Sequence, residues 1–295
     1  MNLRDLRYLV ALADTLHFGR AAEACHVSQP TLSAQIKKLE EYLGTPLVER
    51  RPRHVTLTET GRRVVERARR MLKEADDIRE VARATRDPLS GRLKLGLIPT
   101  LAPYLLPRVA PKIRRALPKL ELMLYEYQTG PLLERVRNGE IDVGLLALPA
   151  ESAGLASRAL FAEAFVVAMP ARHALTARTR IRVAALAGES LLLLEDGHCL
   201  RDQALEVCGT SHIVESQDFR ATSLETLRQM VAAGLGITLL PRLAAEGPFA
   251  AARGLTTRPF APPTPQRTIG AVWRPSTTRA AAIESVCGVI ASALD

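Results

Sequence analysis

The sequence predicts an α+β multidomain chain with an N-terminal winged helix-turn-helix, a long linker helix and a C-terminal α/β domain. Three observations predict it. Apolar residues recur at helical spacing in three short stretches before residue 44, and a basic strand-like segment follows them. From Thr58 one helical pattern then continues past residue 80, with apolar positions at alternating steps of four and three. Beyond Gly91, strand-like apolar runs alternate with helical stretches, the signature of α/β architecture. A length of 295 residues suits more than one domain, and 47% hydrophobic with 24% charged residues supplies a core for each.

The first helix is marked by Leu3, Leu6, Leu9, Val10 and Ala13. Phe18 to Cys25 is a second, short one with small residues on one face, and His26-Val27-Ser28 interrupts it. Ser28 is a good N-cap, and Pro30 is tolerated in a first helical turn, so a third helix begins at Gln29. Leu32, Ile36, Leu39 and Leu43 form its buried stripe. Its outward residues suit duplex DNA. Gln29 and Gln35 can bond adenine edges, Ser28, Thr31 and Ser33 can bond bases or phosphates, and Ala34 allows close approach, with Pro30 also in the DNA-binding set. Lys37 and Lys38 suit phosphate, as do Arg50 and Arg53 in the wing, Arg50 to Leu57.

The linker helix carries Val64, Ala68, Met71, Ala75, Ile78 and Ala82 as a seam, narrow enough for a partner helix. A dimer would set two reading helices on successive major-groove turns. Arg83 to Gly91 reads as a hinge, with Asp87-Pro88 and Ser90-Gly91 as breakers. Strands are predicted at Leu93–Ile98, Leu120–Glu126, Asp142–Ala147, Phe165–Met169, Leu191–Leu194, Ile237–Leu240 and Thr268–Trp273. Helices are predicted at Leu101–Leu117, Pro131–Asn138 and Ala280–Leu294. The alternation implies mostly parallel sheets. The domains are predicted as 1–58, 59–87 and 88–295.

The net charge of +9 divides into +4 up to residue 87 and +5 beyond it. It favours an anionic partner without locating the contact. No apolar run spans a bilayer and no signal peptide is visible, so a cytoplasmic location with no membrane association is expected. The four cysteines, Cys25, Cys199, Cys208 and Cys287, form no CxxC, and His26 beside Cys25 has no further ligands nearby, so neither metal nor cofactor is expected.

The segment Leu194 to Cys208 carries chemistry. Cys199 follows a buried strand and Gly197, and so falls near a helix N-terminus, where backbone N–H groups favour a thiolate. Arg201 and His198 stand beside it. If Leu200 to Val207 is helical, Cys199 and Cys208 lie roughly 13 Å apart along the axis and about half a turn out of phase. A disulfide needs Cα atoms within about 7 Å, so the two cannot join in an intact helix.

The string Ala21-Ala22-Glu23, Val27 to Ser33, Gln35 to Glu40, Leu43-Gly44 and Pro46 to Arg50 closely resembles the LysR-type regulators. That resemblance implies two α/β lobes with a cleft, like periplasmic binding proteins, at about 91–162 with 268–295 and about 163–267. Leu194 to Cys208, Phe219 to Leu227, Val231 to Gly234, Gly96 to Thr100 and Gln128-Thr129 are similar to the peroxide-sensing members of that family. By this similarity Cys199 is peroxidatic and Cys208 resolving, and Thr100, Thr129, His198 and Asp202, with Arg201, form a hydrogen peroxide pocket. Where some members have histidine, this chain has Tyr125 and Asp218. The resemblance further implies double-stranded promoter DNA, RNA polymerase, a homotetramer and a glutaredoxin- or thioredoxin-type reductant as partners. Three other readings compete with it. A regulator gated by a small organic effector would leave Cys199 incidental, a thiol peroxidase would not need the DNA-reading module, and a DNA-bending protein would need neither cysteine.

Overall fold

The computed structural model describes residues 1–51, 54–84, 87–150, 152–209, 214–246 and 254–294; the side chains of 50, 51, 54, 77, 79–84 and 214–219 are outside the described set. The chain divides into two compact units, Met1–Arg86 and Asp87–Asp295.

In the N-terminal unit, α1 (Leu3–Thr15) starts in a reciprocal capping box. Asn2 accepts from the Arg4 and Asp5 amides, and the Asp5 carboxylate accepts from the Asn2 amide. α2 (Phe18–Ala24) and α3 (Gln29–Leu43) follow. Leu9, Leu12, Leu32 and Ile36 are fully buried together, with Leu39 beside them; Leu32, Ile36 and Leu39 are the stripe the spacing predicts, and Leu43 is half-buried. α3 stops at Gly44, in the left-handed region at φ 67°. The wing is an antiparallel pair, β1 (Val48–Arg51) and β2 (His54–Leu57).

The long helix α4 (Glu59–Ala84) is capped by Thr58, whose hydroxyl accepts from the Gly61 amide at 2.8 Å and donates to the Pro46 carbonyl at 2.9 Å. Gly61 is required by space. A Cβ there would lie 2.0 Å from the Leu47 carbonyl oxygen, so α4 enters flush against the start of β1. The predicted seam divides in two. Ala68 is buried in its own unit, as is Val65 beside the predicted Val64, because α4 packs along α1. Farther on, Met71 and Ile78 are 47% and 70% exposed, and the Ala82 side chain lies outside the described residues.

The C-terminal unit opens with β3 (Gly91–Leu97), α5 (Ala102–Ala116), β4 (Leu120–Glu126), α6 (Thr129–Arg137) and β5 (Val143–Leu148). β3 pairs in parallel with both β4 and β5. The neighbouring Gly96 and Gly144 let α6 approach the sheet, because a Cβ on Gly96 would meet Leu132 at 2.4 Å. β6 (Ala156–Pro170) is three times the predicted length. Its first half pairs antiparallel with β11 (Gln266–Trp273); its second half pairs antiparallel with β9 (Thr238–Pro241) and β10 (Leu255–Pro259).

β11 also runs antiparallel to β5. The mostly parallel expectation is therefore corrected. Among the described residues this unit has three parallel and four antiparallel pairings. The difference lies in the first half of β6, where Ser157, Arg158 and Glu163 break its small apolar residues into short pieces, and in β10, which is short and polar. The second lobe adds β7 (Ser190–Leu194), α7 (Cys199–Cys208), β8 (Val214–Ala221), α8 (Leu224–Ala232) and the one-turn α9 (Arg242–Ala245), with β7 and β8 parallel. α10 (Ala280–Ser292) buries Ile283, Val286, Cys287 and Ile290 against the first lobe's face. Among the described residues no helix is long and apolar enough to cross a membrane.

Candidate functional site

The reading helix α3 presents Gln29, Pro30, Thr31, Ala34, Lys37 and Lys38 to solvent, while Ser33 and Gln35 are half-buried. Ser28 is exposed but already engaged. Its hydroxyl oxygen accepts from the Thr31 amide at 3.3 Å and lies 2.8 Å from the Thr31 hydroxyl, so its first role is to start the helix. Arg53 and the Arg50 side chain lie outside the described residues. Sequence reasoning missed Glu40. Its Oε1 accepts from the Leu47 and Val48 amides at 2.7 and 3.0 Å, fixing the wing to the end of α3. Its only sequence signal is a carboxylate on an otherwise buried side of the helix.

The cysteine site is built from the loop after β7. Gly197 turns the chain at φ 93°, and a Cβ there would stand 2.9 Å from the Gln128 side-chain oxygen. This contact brings the start of α6 to the start of α7. Cys199 is the first residue of α7 and half-buried; Cys208 is the last and 3% exposed; both are free thiols. Burial pushes the Cys208 thiol up to about 11. The helix between them is unbroken, so ten residues of regular geometry hold the sulfur-bearing ends apart by roughly 13 Å of axial rise.

His198 is buried at the N-cap, where its side chain makes no capping bond. Burial lowers its pKa, against a smaller upward pull from Glu195. Arg201 is nearly buried and its Nε donates to Asp196 Oδ1 at 2.9 Å, while Asp196 Oδ2 meets Arg220 at 3.3 Å, so one carboxylate ties α7 to the end of β8. Asp202 is exposed on α7, unlike the other predicted pocket residues.

Thr129, at the start of α6, has a buried hydroxyl oxygen with no hydrogen-bond partner among the described residues. Thr100 is buried, and its hydroxyl and carbonyl oxygens both accept from Arg267, at 3.1 Å each. Arg267 forms a buried ion pair with Glu163 at 2.8 Å. Sequence reasoning missed both members, because 104 residues separate them. Tyr125 stacks on Tyr127 with centroids 6.3 Å apart; Asp218 has its side chain outside the described residues. A cleft of about 740 Å³ is lined by Tyr104, Glu126, Gln128, His198, Ser223 and Arg228 among others, and Cys199 is not on its wall. No group of metal-ligating side chains occurs among the described residues.

Comparison with known proteins gives a consistent result. Residues 3–62 match the bacterial regulatory helix-turn-helix proteins of the lysR family, and residues 86–295 match the LysR substrate binding domain. The chain is 48% identical over 295 residues to the DNA-binding transcriptional dual regulator OxyR of Escherichia coli K12, covering all of this chain and 96% of that one. A full-length OxyR variant from Pseudomonas aeruginosa superposes with a TM-score of 0.71 at 44% identity, covering 99% of this chain and 98% of the other. A hydrogen-peroxide-bound OxyR variant from Corynebacterium glutamicum gives 0.69 at 37%, covering 99% and 92%.

Proposed function

The chain belongs to the LysR family of bacterial helix-turn-helix regulators, and from that premise we propose that it is a transcription regulator switched by hydrogen peroxide at Cys199. The observation that carries the reading is the placement of two free thiols at opposite ends of one unbroken helix. The Cys199 sulfur attacks one peroxide oxygen. An S–O bond forms and the O–O bond breaks. Sulfur is oxidised to a sulfenic acid, and the departing hydroxide takes a proton to become water. Cys208 then attacks the sulfenic sulfur, forming the disulfide and releasing a second water.

Buried at about 11, the Cys208 thiol carries little thiolate at neutral pH, so it resolves the sulfenic acid only as α7 opens. Opening α7 also releases the Asp196 tie to β8, which gives the redox event a structural output. Thr100, Thr129, His198 and Arg201 surround the reacting thiol in this reading, and the unpartnered Thr129 oxygen is where a peroxide or a water finds a partner.

On the DNA side, Gln29, Thr31, Ala34, Lys37 and Lys38 enter the groove. The exposed Met71 and Ile78 on α4 meet a second copy, giving dimers that pair into a tetramer. The protein works in the cytoplasm with RNA polymerase and is reset by a glutaredoxin- or thioredoxin-type reductant. Peptide mass spectrometry after a brief peroxide pulse tests the core of this. A Cys199–Cys208 link, and a DNA footprint change lost in Cys199→Ser, is the expected result. An unmodified Cys199 with no link would overturn it. The cleft beside His198 supports a second reading, an organic effector bound between the lobes. That reading requires the Cys199→Ser variant to keep its full regulatory response.

A further inference from the structure

We infer that Glu163, at the junction of the two lobes, is a positioning residue for peroxide cleavage: it holds Arg267, and Arg267 orients the Thr100 hydroxyl as a donor. The inference rests on the peroxide reading above, in which Thr100 faces the oxidant.

Glu163 and Arg267 are register partners across β6 and β11, and they are 4% and 3% exposed. Arg267 Nε and Nη2 both donate to Glu163 Oε2, at 2.9 and 2.8 Å. The far side of the same guanidinium faces Thr100: Nη1 donates to its hydroxyl oxygen and Nη2 to its carbonyl oxygen. The other carboxylate oxygen, Oε1, accepts from the Leu243 amide at 2.9 Å, at the start of α9 in the second lobe. One carboxylate is therefore tied to the β3–α5 turn of the first lobe and to the second lobe at once.

The chemistry follows from the donor inventory. A guanidinium has N–H donors and no acceptor. Thr100 can only accept from it, so the threonine hydrogen must point elsewhere. Among the described residues both hydrogen bonds at the Thr100 hydroxyl and carbonyl are ones it accepts from Arg267. A hydroxyl is otherwise a free rotor. Engaging one of its two lone pairs on Arg267 fixes the oxygen's orientation and leaves its hydrogen to donate away from the guanidinium. In the cleavage step the distal peroxide oxygen leaves as hydroxide, and a donor already aimed there stabilises the charge as it develops. The hydroxyl keeps its own proton; solvent supplies the one that completes water. Burying an ion pair is costly, and an apolar pair would fill the same space at lower cost, so packing alone is a poor account of this pair.

The test uses the full chain. Three rates are measured for the parent, Glu163→Gln, Thr100→Val and the double variant: Cys199 oxidation by hydrogen peroxide, Cys199 alkylation by iodoacetamide across pH, and operator binding in the thiol form. Each single variant is expected to slow oxidation about 10-fold or more. Alkylation and its pH profile should stay within about two-fold, since no O–O bond is broken there. The double variant should be no slower than the worse single variant, because both act through one hydroxyl. Parental oxidation in Glu163→Gln, fully multiplying losses, or alkylation falling in step with oxidation would overturn the inference. If Thr100→Val itself oxidises at the parental rate, the peroxide-pocket reading fails along with it. If only Glu163→Gln does, the pocket stands and the positioning role falls. Should Glu163→Gln lose operator binding or melt early, Arg267→Lys is scored by the same measures, since it keeps the charge but gives up the fork.

Discussion

α7 is electrostatically weak, and under the proposed switch, in which it holds two thiols apart, this weakness is expected to set the speed of opening. Asp202 and Glu206 are both exposed and stand four residues apart, a like-charge pair on one face. The last turn holds Glu206 and no basic residue, against the helix dipole, and the N-cap His198 makes no capping bond. Glu206→Lys reverses two of these defects. Converting the like-charge pair to an acid–base pair of favourable polarity is worth about 0.4–1 kcal/mol in total. Placing a cation in the last turn adds about 0.3–1 kcal/mol. Discounted for exposure and screening, the sum is about 1–1.5 kcal/mol. If opening of α7 precedes disulfide closure, closure slows by roughly 5- to 10-fold. Glu206→Gln should give about half of that free energy. The assay is rapid quench with alkylation, following sulfenic acid and disulfide separately by peptide mass. Sulfenic acid formation should keep the parental rate, so the intermediate accumulates. The slowing should shrink in 1 M salt, where charges are screened within about 3 Å. Closure at the parental rate, or a matching change in sulfenic acid formation, would show that helix opening is not the barrier.

Gly61→Ala drives a Cβ into the Leu47 carbonyl, and should destabilise the N-terminal unit by about 3 kcal/mol or more, seen as an earlier melt and weaker operator binding. Lys37→Ala should weaken operator and random DNA alike and reduce the slope of log K against log salt by about 1 per protomer; a selective loss for the operator alone would assign Lys37 to base reading instead. Cys208 favours its protonated form when folded, so its contribution to stability is complete below about pH 9 and is lost as pH rises to about 11. Hydrogen exchange in α7 should rise over that window in the parent and less so in Cys208→Ala. His198 has its pKa lowered by burial, so protonation opposes folding, and its contribution is complete above about pH 6.5 and lost as pH falls below it. His198→Gln should flatten that acid limb in a pH series of melts.

Much of the reading end was legible because its signals are local. The Leu32-Ile36-Leu39 stripe is a period, and the Ser28 cap and the Gly44 stop are neighbours of the helix they bound. The same holds for α7: eight helix-forming residues between two cysteines state, without any tertiary information, that the sulfurs start apart. Other features had no local sign. β6 was read as a third of its length because its first half, small residues broken by Ser157, Arg158 and Glu163, does not look like a strand until β11 lies beside it. The α4 seam looked free along its length, yet its first turns are spent on α1.

Sequence by itself determined the reading helix, the alternation of strands and helices, and the pair of thiols with a helix between them, since periodicity and capping act over a few residues. Only the tertiary structure decided which buried charges meet. Glu163, Arg267 and Thr100 lie far apart along the chain, and an ion pair in the interior exists only where the fold brings both partners out of water together.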